Sequence, residues 1–194
     1  MKYIKQLLDT NKTVFKTSEF SMVFGIENKN TIKNILQRMK KSGVLYYHGM
    51  NIWSIKKTDY DRYEFASKIR KRSYISFETV LQKAGIIFQD YSNTITLASD
   101  NSLEKKIENT NYIFHKLNDK ILKNPVGIKN IENKYMIASA ERAICDMIYL
   151  SKNYHFDNIN GLDIDRLEEI KDIYNQSTIL LINKLIKNVE SKQA

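Results

Sequence analysis

The chain is poor in the residues that mark several protein classes. It has one cysteine, Cys145, so it forms no internal disulfide, and a reducing cytoplasmic setting is the natural expectation. It has one proline, Pro125, and six glycines, none of them clustered, so no glycine-rich loop is present to cradle a phosphate. No apolar run approaches the ~20 residues that a membrane span needs. Met1-Lys2-Tyr3-Ile4-Lys5-Gln6 carries no unbroken apolar stretch after its charges, which argues against a secretory leader. The three histidines, His48, His115 and His155, are scattered without ligand spacing, so no metal is expected.

What is present is a chain of 194 residues with 42% hydrophobic and 11% aromatic content, ample for one or two packed cores. Its charge is unevenly divided. Residues 1–72 hold 16 basic and 6 acidic side chains, whereas residues 73–194 hold 15 and 16. A small, strongly basic head joined to a near-neutral body suits a polyanion-binding module attached to a part with another task.

In the head, Ile4, Leu7 and Leu8 give residues 2–9 the spacing of a short amphipathic helix. Thr17 or Ser18 is placed to cap a second helix, with Phe20, Val23 and Phe24 inward and Gly25 as its stop. Asn28 or Asn30 is placed to cap a third, running to about Lys41 on the stripe Ile32, Ile35, Leu36 and Met39. The opposite face of that helix carries Asn30, Lys33, Asn34, Gln37 and Lys41, groups that bond phosphates or read base edges. Two short β-rich runs follow around Gly49, a hairpin with His48 at its tip and Trp53 and Ile55 in its core. This order is that of a winged helix-turn-helix, whose third helix enters the major groove. The expected DNA contacts are Lys33, Asn34 and Gln37 in the groove and Lys29, Lys40, Lys41, Lys56 and Lys57 on phosphates, with Asn30 and His48 beside them.

The expected organisation is a DNA-binding domain over 1–57, a helical connector over 58–72 capped by Asp59, and a C-terminal domain over 73–194. Arg70-Lys71-Arg72 either extends the basic surface or is a solvated helix end; both readings stand. In the body, Ser76 is placed to cap a helix over 77–84, Thr94–Ser99 alternates as a half-buried strand does, and strands are expected near 111–115 and 135–138. Ser139 opens a strong helix over 140–150. Asp165 and Glu168 have capping-box spacing, and a last helix carries Ile179, Ile182, Leu185, Ile186 and Val189. The fold class expected is α+β and helix-rich, a winged helix-turn-helix followed by a mixed α/β domain.

Nothing reads as catalytic, and no cofactor is implied. Asp163 and Asp165 resemble a metal-holding pair but read as a helix cap, and Cys145 sits on an apolar helix face without a histidine nearby.

Two stretches carry a resemblance. Tyr74-Ile-Ser-Phe-Glu-Thr-Val-Leu-Gln-Lys-Ala-Gly-Ile86 resembles a segment of the abortive-infection AbiEi antitoxin family. Ala138-Ser-Ala-Glu-Arg-Ala-Ile-Cys-Asp-Met-Ile-Tyr-Leu150 is similar to a helix of the same family, with Arg142 where the family usually has lysine. The resemblance spans nearly the whole chain and is weakest over 118–135 and after 175. It implies the antitoxin of a type IV toxin–antitoxin pair linked to phage resistance. Such an antitoxin antagonises a nucleotidyltransferase toxin without a stable complex. It also represses its own operon by binding double-stranded DNA with inverted repeats; two inverted half-sites would suit two copies, with self-association on the DNA one possibility. It implies no membrane partner. The alternative reading is a standalone winged-helix regulator whose body answers a ligand or a protein partner; the apolar run Ile179–Ile182 is a candidate partner surface or simply core.

Overall fold

A computed structural model describes residues 2–193, leaving aside the side chains of the last two of these. The chain divides into two compact units, Met1–Lys71 and Arg72–Ala194. The described residues form nine helices and two sheets, a mixed α+β fold. Among them, no helix is long and apolar enough to cross a membrane.

Unit 1 runs α1 (Lys2–Leu8), β1 (Val14–Lys16), α2 (Glu19–Phe24), α3 (Lys29–Lys41), β2 (Tyr46–Tyr47), β3 (Ile52–Ser54) and α4 (Arg62–Ile69). Its antiparallel sheet has the order β1-β3-β2, with Phe15 and Tyr47 flanking Trp53 in register. Asn28 caps α3, its Oδ1 accepting from the Asn30 and Thr31 amides at 2.9 and 3.1 Å. The stripe Ile32, Ile35, Leu36 and Met39 is buried against Leu7, Phe15, Phe20, Phe24, Leu45 and Trp53. That burial fixes the rotation of α3 about its axis, and hence which residues face out.

Several local expectations are corrected. Neither Thr17 nor Ser18 caps α2 through its hydroxyl: Ser18 makes no side-chain cap bond, and Thr17 Oγ1 accepts from Trp53 Nε1 at 2.9 Å. The Glu19 carboxylate instead reaches back before the helix and accepts from the Lys16 amide at 2.7 Å. The stretch 58–72 contributes α4, which is part of unit 1 and no free connector. Its cap is Asp61, bonded to the Tyr63 and Glu64 amides, while Asp59 pairs with Lys56 instead. Phe65 is fully buried, and Glu64 Oε2 accepts from both the amide and the hydroxyl of Thr13 at 2.8 Å, tying α4 to the start of β1.

Unit 2 holds β4 (Ser73–Ile75), α5 (Glu78–Lys83), β5 (Thr94–Ser99), β6 (Leu103–Ile107), β7 (Thr110–Lys116), α6 (Asp119–Lys123), β8 (Ile128–Ile131), β9 (Tyr135–Ala138), α7 (Ala140–Leu150), α8 (Ile164–Lys171) and α9 (Gln176–Gln193). The six-stranded sheet has the order β6-β7-β5-β4-β9-β8, parallel between β5 and β7 and between β4 and β9, antiparallel elsewhere. Helix α7 is the centre of the unit. Its residues Glu141–Ile148 are all buried, and it packs on α5, α8, α9 and β9. Ser139 caps it as expected, accepting from the Arg142 amide at 3.2 Å. Ser76, expected as the cap of α5, instead turns its hydroxyl to Asp146, and α8 is capped by Asp163 rather than Asp165.

Candidate nucleic-acid interface

The polar chemistry of unit 1 collects in one groove of about 810 Å³ between α3, the turn before α2 and the β2–β3 hairpin. From α3 come Lys29, Asn30, Lys33, Gln37 and Lys40, which recur at roughly helical spacing on the face beside the buried stripe, whose Ile32 and Leu36 also line the groove. Lys16, Thr17, Ser18 and Ser21 line the second wall, and Tyr47, Asn51 and Trp53 the third. Four lysines face one acid, Glu27, so the groove is a concentrated positive field.

The walls are held rigidly. The hairpin closes through His48 N–H to the Ile52 carbonyl at 3.0 Å and Ile52 N–H to the Gly49 carbonyl at 2.8 Å. Met50 and Asn51 between them have φ of 49° and 58°, the pattern of a type I′ turn. The tip is pinned to the second wall. Lys16 Nζ donates to the Met50 carbonyl at 2.9 Å, and the Thr17 amide donates to the Asn51 carbonyl at 2.9 Å. Lys40 stands 5.5 Å over the Tyr47 ring, which itself packs 4.6 Å from Trp53. Burial, and then the charge of Lys68, holds the Lys16 ammonium below the usual lysine range, against the pull of Glu19.

Glu19 keeps its own charge. Burial pushes its carboxyl up, but the Lys16 amide and the ammoniums of Lys68 and Lys12 more than offset this, leaving it below the usual range. The two lysines lie 2.8 and 3.0 Å from Glu19 Oε1.

Of the ten residues expected from the sequence to meet DNA, the structure gathers five in the groove: Lys29, Asn30, Lys33, Gln37 and Lys40. Asn34 and Lys41 are exposed on α3 but do not line it, and Lys56 and Lys57 are exposed beyond the hairpin. His48 is the clear departure. Its ring is turned away from the tip, edge-on to Tyr60 at 5.0 Å and Phe65 at 5.3 Å, with Nε2 at 2.7 Å from Ser54 Oγ. It packs α4 onto the hairpin rather than presenting a cation outward. The residues that sequence reasoning left out, Lys16, Ser21, Asn51 and Tyr47 among them, come from the three-residue strand β1, a half-buried position of α2 and the hairpin, where no periodicity marks a shared face.

Unit 2 concentrates its polar groups differently. Arg142 and Asp146, both fully buried, form an ion pair at 3.3 Å on one face of α7. The guanidinium also donates to the Ile121, Val126 and Asn124 carbonyls and the Tyr74 hydroxyl, so all five of its N–H groups are engaged. Asp146 accepts from Arg142, Tyr174, Tyr74 and Ser76, filling both oxygens. Burial alone would lower the Arg142 pKa; Tyr174, Asp146 and Tyr74 outweigh it, and the guanidinium stays charged. This is a closed structural network with no group left over for a ligand. Cys145, fully buried beside it, has its thiol pushed up by burial and is inert as a nucleophile. Among the described residues, no group of three or more His, Cys, Asp or Glu side chains is placed to hold a metal.

Comparison of the chain with protein-family models and with curated proteins gave no match.

Proposed function

We propose that unit 1 is a winged helix-turn-helix that binds duplex operator DNA through the α3–hairpin groove, and that the whole chain is an antitoxin and autorepressor of the AbiEi kind. The observation that carries the DNA half is the groove itself, with four lysines around an outward face of α3 that bears Asn30, Lys33 and Gln37. Ammonium groups supply sequence-independent attraction to phosphates, and amides between them supply base-edge bonds. A helix-hairpin wall pinned at Lys16 and Thr17 gives a shape fixed before binding. The antitoxin half rests on the resemblance of Tyr74–Ile86 and Ala138–Leu150 to that family. No side chain takes a catalytic role in this reading; the chain acts in the cytoplasm by occupying DNA, with two copies on an inverted repeat, and by antagonising a nucleotidyltransferase.

The test is retardation of the DNA upstream of the chain's own gene. Lys33→Ala with Gln37→Ala should abolish specific retardation while far-UV circular dichroism stays unchanged, since both side chains are exposed. Affinity of the unaltered chain should fall about 10³-fold between roughly 50 and 200 mM salt. A flat salt response would refute the groove as a phosphate-binding surface. Co-expression of the same double variant with the neighbouring nucleotidyltransferase should still restore growth. Loss of rescue would put antagonism in the DNA-binding face.

A further inference from the structure

We infer that the groove selects half-sites with two A·T pairs, Asn30 and Gln37 each taking one adenine, with Lys33 between them left to a guanine or a phosphate. The inference rests on the groove being a duplex-DNA site, and it concerns what that site reads. All three side chains are exposed and line the groove. Among the described residues none of the three heads has a hydrogen-bond partner, so each is available to a ligand.

The chemistry of the heads decides the bases. A carboxamide offers an acceptor and a donor in one plane, which matches the N6 donor and N7 acceptor that adenine shows in the major groove. A lysine offers donors alone, suited to guanine O6 and N7 or to a phosphate. Arginine is the commonest reader of guanine, and no arginine lines this groove. Arg38, on the same helix, lies outside the lining and turns its Nε to the Asn34 carbonyl at 3.4 Å. The hairpin wall adds apolar surface: the Tyr47 ring is 42% exposed, a contact suited to thymine methyl groups.

The spacing follows from the helix. Gln37 stands seven positions after Asn30, so their Cα atoms lie about 10 Å apart along the axis at ~1.5 Å per residue. At ~3.4 Å per base pair along each strand, that is about three steps. The cap at Asn28 and the buried stripe fix where the backbone at both residues stands before DNA arrives.

The experiment is selection of the full chain against a randomised duplex library at physiological salt, followed by fluorescence anisotropy on the recovered site and its single-pair variants. The expected half-site contains two A·T pairs about three steps apart. Asn30→Ala and Gln37→Ala should each flatten the preference at one of those positions and weaken the recovered site about 10- to 100-fold. Both side chains are on the surface, so both variants should fold. Recovery of G·C pairs at the two positions, or preferences that neither variant moves, would overturn the inference. Binding without any sequence preference would also overturn it while leaving the DNA reading standing; no duplex retained at all would overturn both.

Discussion

The two units use the same charged residue types in opposite ways. Residues 1–71 carry 15 basic and 6 acidic side chains, whereas residues 72–194 carry 16 of each. In unit 1 the acids turn inward or along the surface: Asp61 caps α4, Glu64 holds Thr13, and Glu19 gathers Lys12 and Lys68. What is left facing the groove is mostly ammonium. In unit 2 one arginine and one aspartate are taken wholly out of water and saturated with partners from β4, α6, the loop before β8 and the turn after α8. Charge at the surface of unit 1 makes a positive field directed outward. Charge in the core of unit 2 fixes where α7 sits. Changes in the first should alter binding with little cost in stability, and changes in the second the reverse.

The largest effect that would sharpen this contrast lies at Arg142. Arg142→Ala leaves Asp146 buried without its cation, and breaking such a pair costs about 3–5 kcal/mol. Arg142→Lys should recover only part of that, because an ammonium cannot replace a five-donor fork aimed at three carbonyls, a hydroxyl and a carboxylate. The chain's one tryptophan, Trp53, lies in unit 1. Urea unfolding followed by tryptophan fluorescence therefore reports unit 1, and far-UV circular dichroism reports both units. The Arg142 variants should move the dichroism transition and leave the fluorescence transition in place; an equal shift in both probes would break the contrast.

A smaller effect compares two glycines with left-handed backbone. At Gly127, φ +74°, a Cβ would stand 2.8 Å from Arg142 Cβ and 3.0 Å from Ile170 Cδ1. At Gly25, φ +66°, nothing lies within 4 Å. Gly25→Ala thus carries backbone strain alone, about 1 kcal/mol, while Gly127→Ala adds a clash beside the buried pair and should cost about 2–3 kcal/mol. Thermal unfolding of the two variants measures the difference; equal losses would mean that the packing around Arg142 yields easily.

How far the sequence foretold this depends on periodicity. Helix α3 was legible because its stripe is continuous and its cap is an asparagine, and α7 because apolar residues at helical spacing follow a serine cap, though the burial of Glu141, Arg142 and Asp146 among them was not. The strands β1, β6 and β8 were not. Each is three to five residues long, and β6 and β8 are sheet edges whose middle residues are exposed, so no alternation marks them. Five groove residues could be named from the exposed side of α3, because a helix declares its outer face. Lys16 and Tyr47 join them only through strand register and a turn, which are long-range facts. His48 misled for a related reason: its place beside a hairpin glycine says nothing of Phe65 and Tyr60, which arrive later in the chain to cover it.

The smallest effect expected is one of pH, and it belongs to unit 1. Glu19 is held below the ordinary glutamate range in the folded chain, against burial, by the Lys16 amide and the ammoniums of Lys68 and Lys12. A carboxylate whose folded pKa is depressed contributes stability that is complete above its unfolded value, about 4.3, and is lost as pH falls through the folded value. Glu64 in the same unit is pushed up by burial and titrates with the opposite sign, so the Glu19 share is read as the difference in fluorescence-detected midpoint between the unaltered chain and Glu19→Gln, level from pH 7 to about 5 and shrinking below about pH 4. Glu19→Gln should lower the midpoint modestly at pH 7 and make the acid limb shallower, because the amide has no proton to take up. An acid limb unchanged by this substitution would show that Lys12 and Lys68 contribute at Glu19 no more than two solvated lysines would. Lys16 would still be held at the groove wall by its pairing with Ile52 and its bond to the Met50 carbonyl.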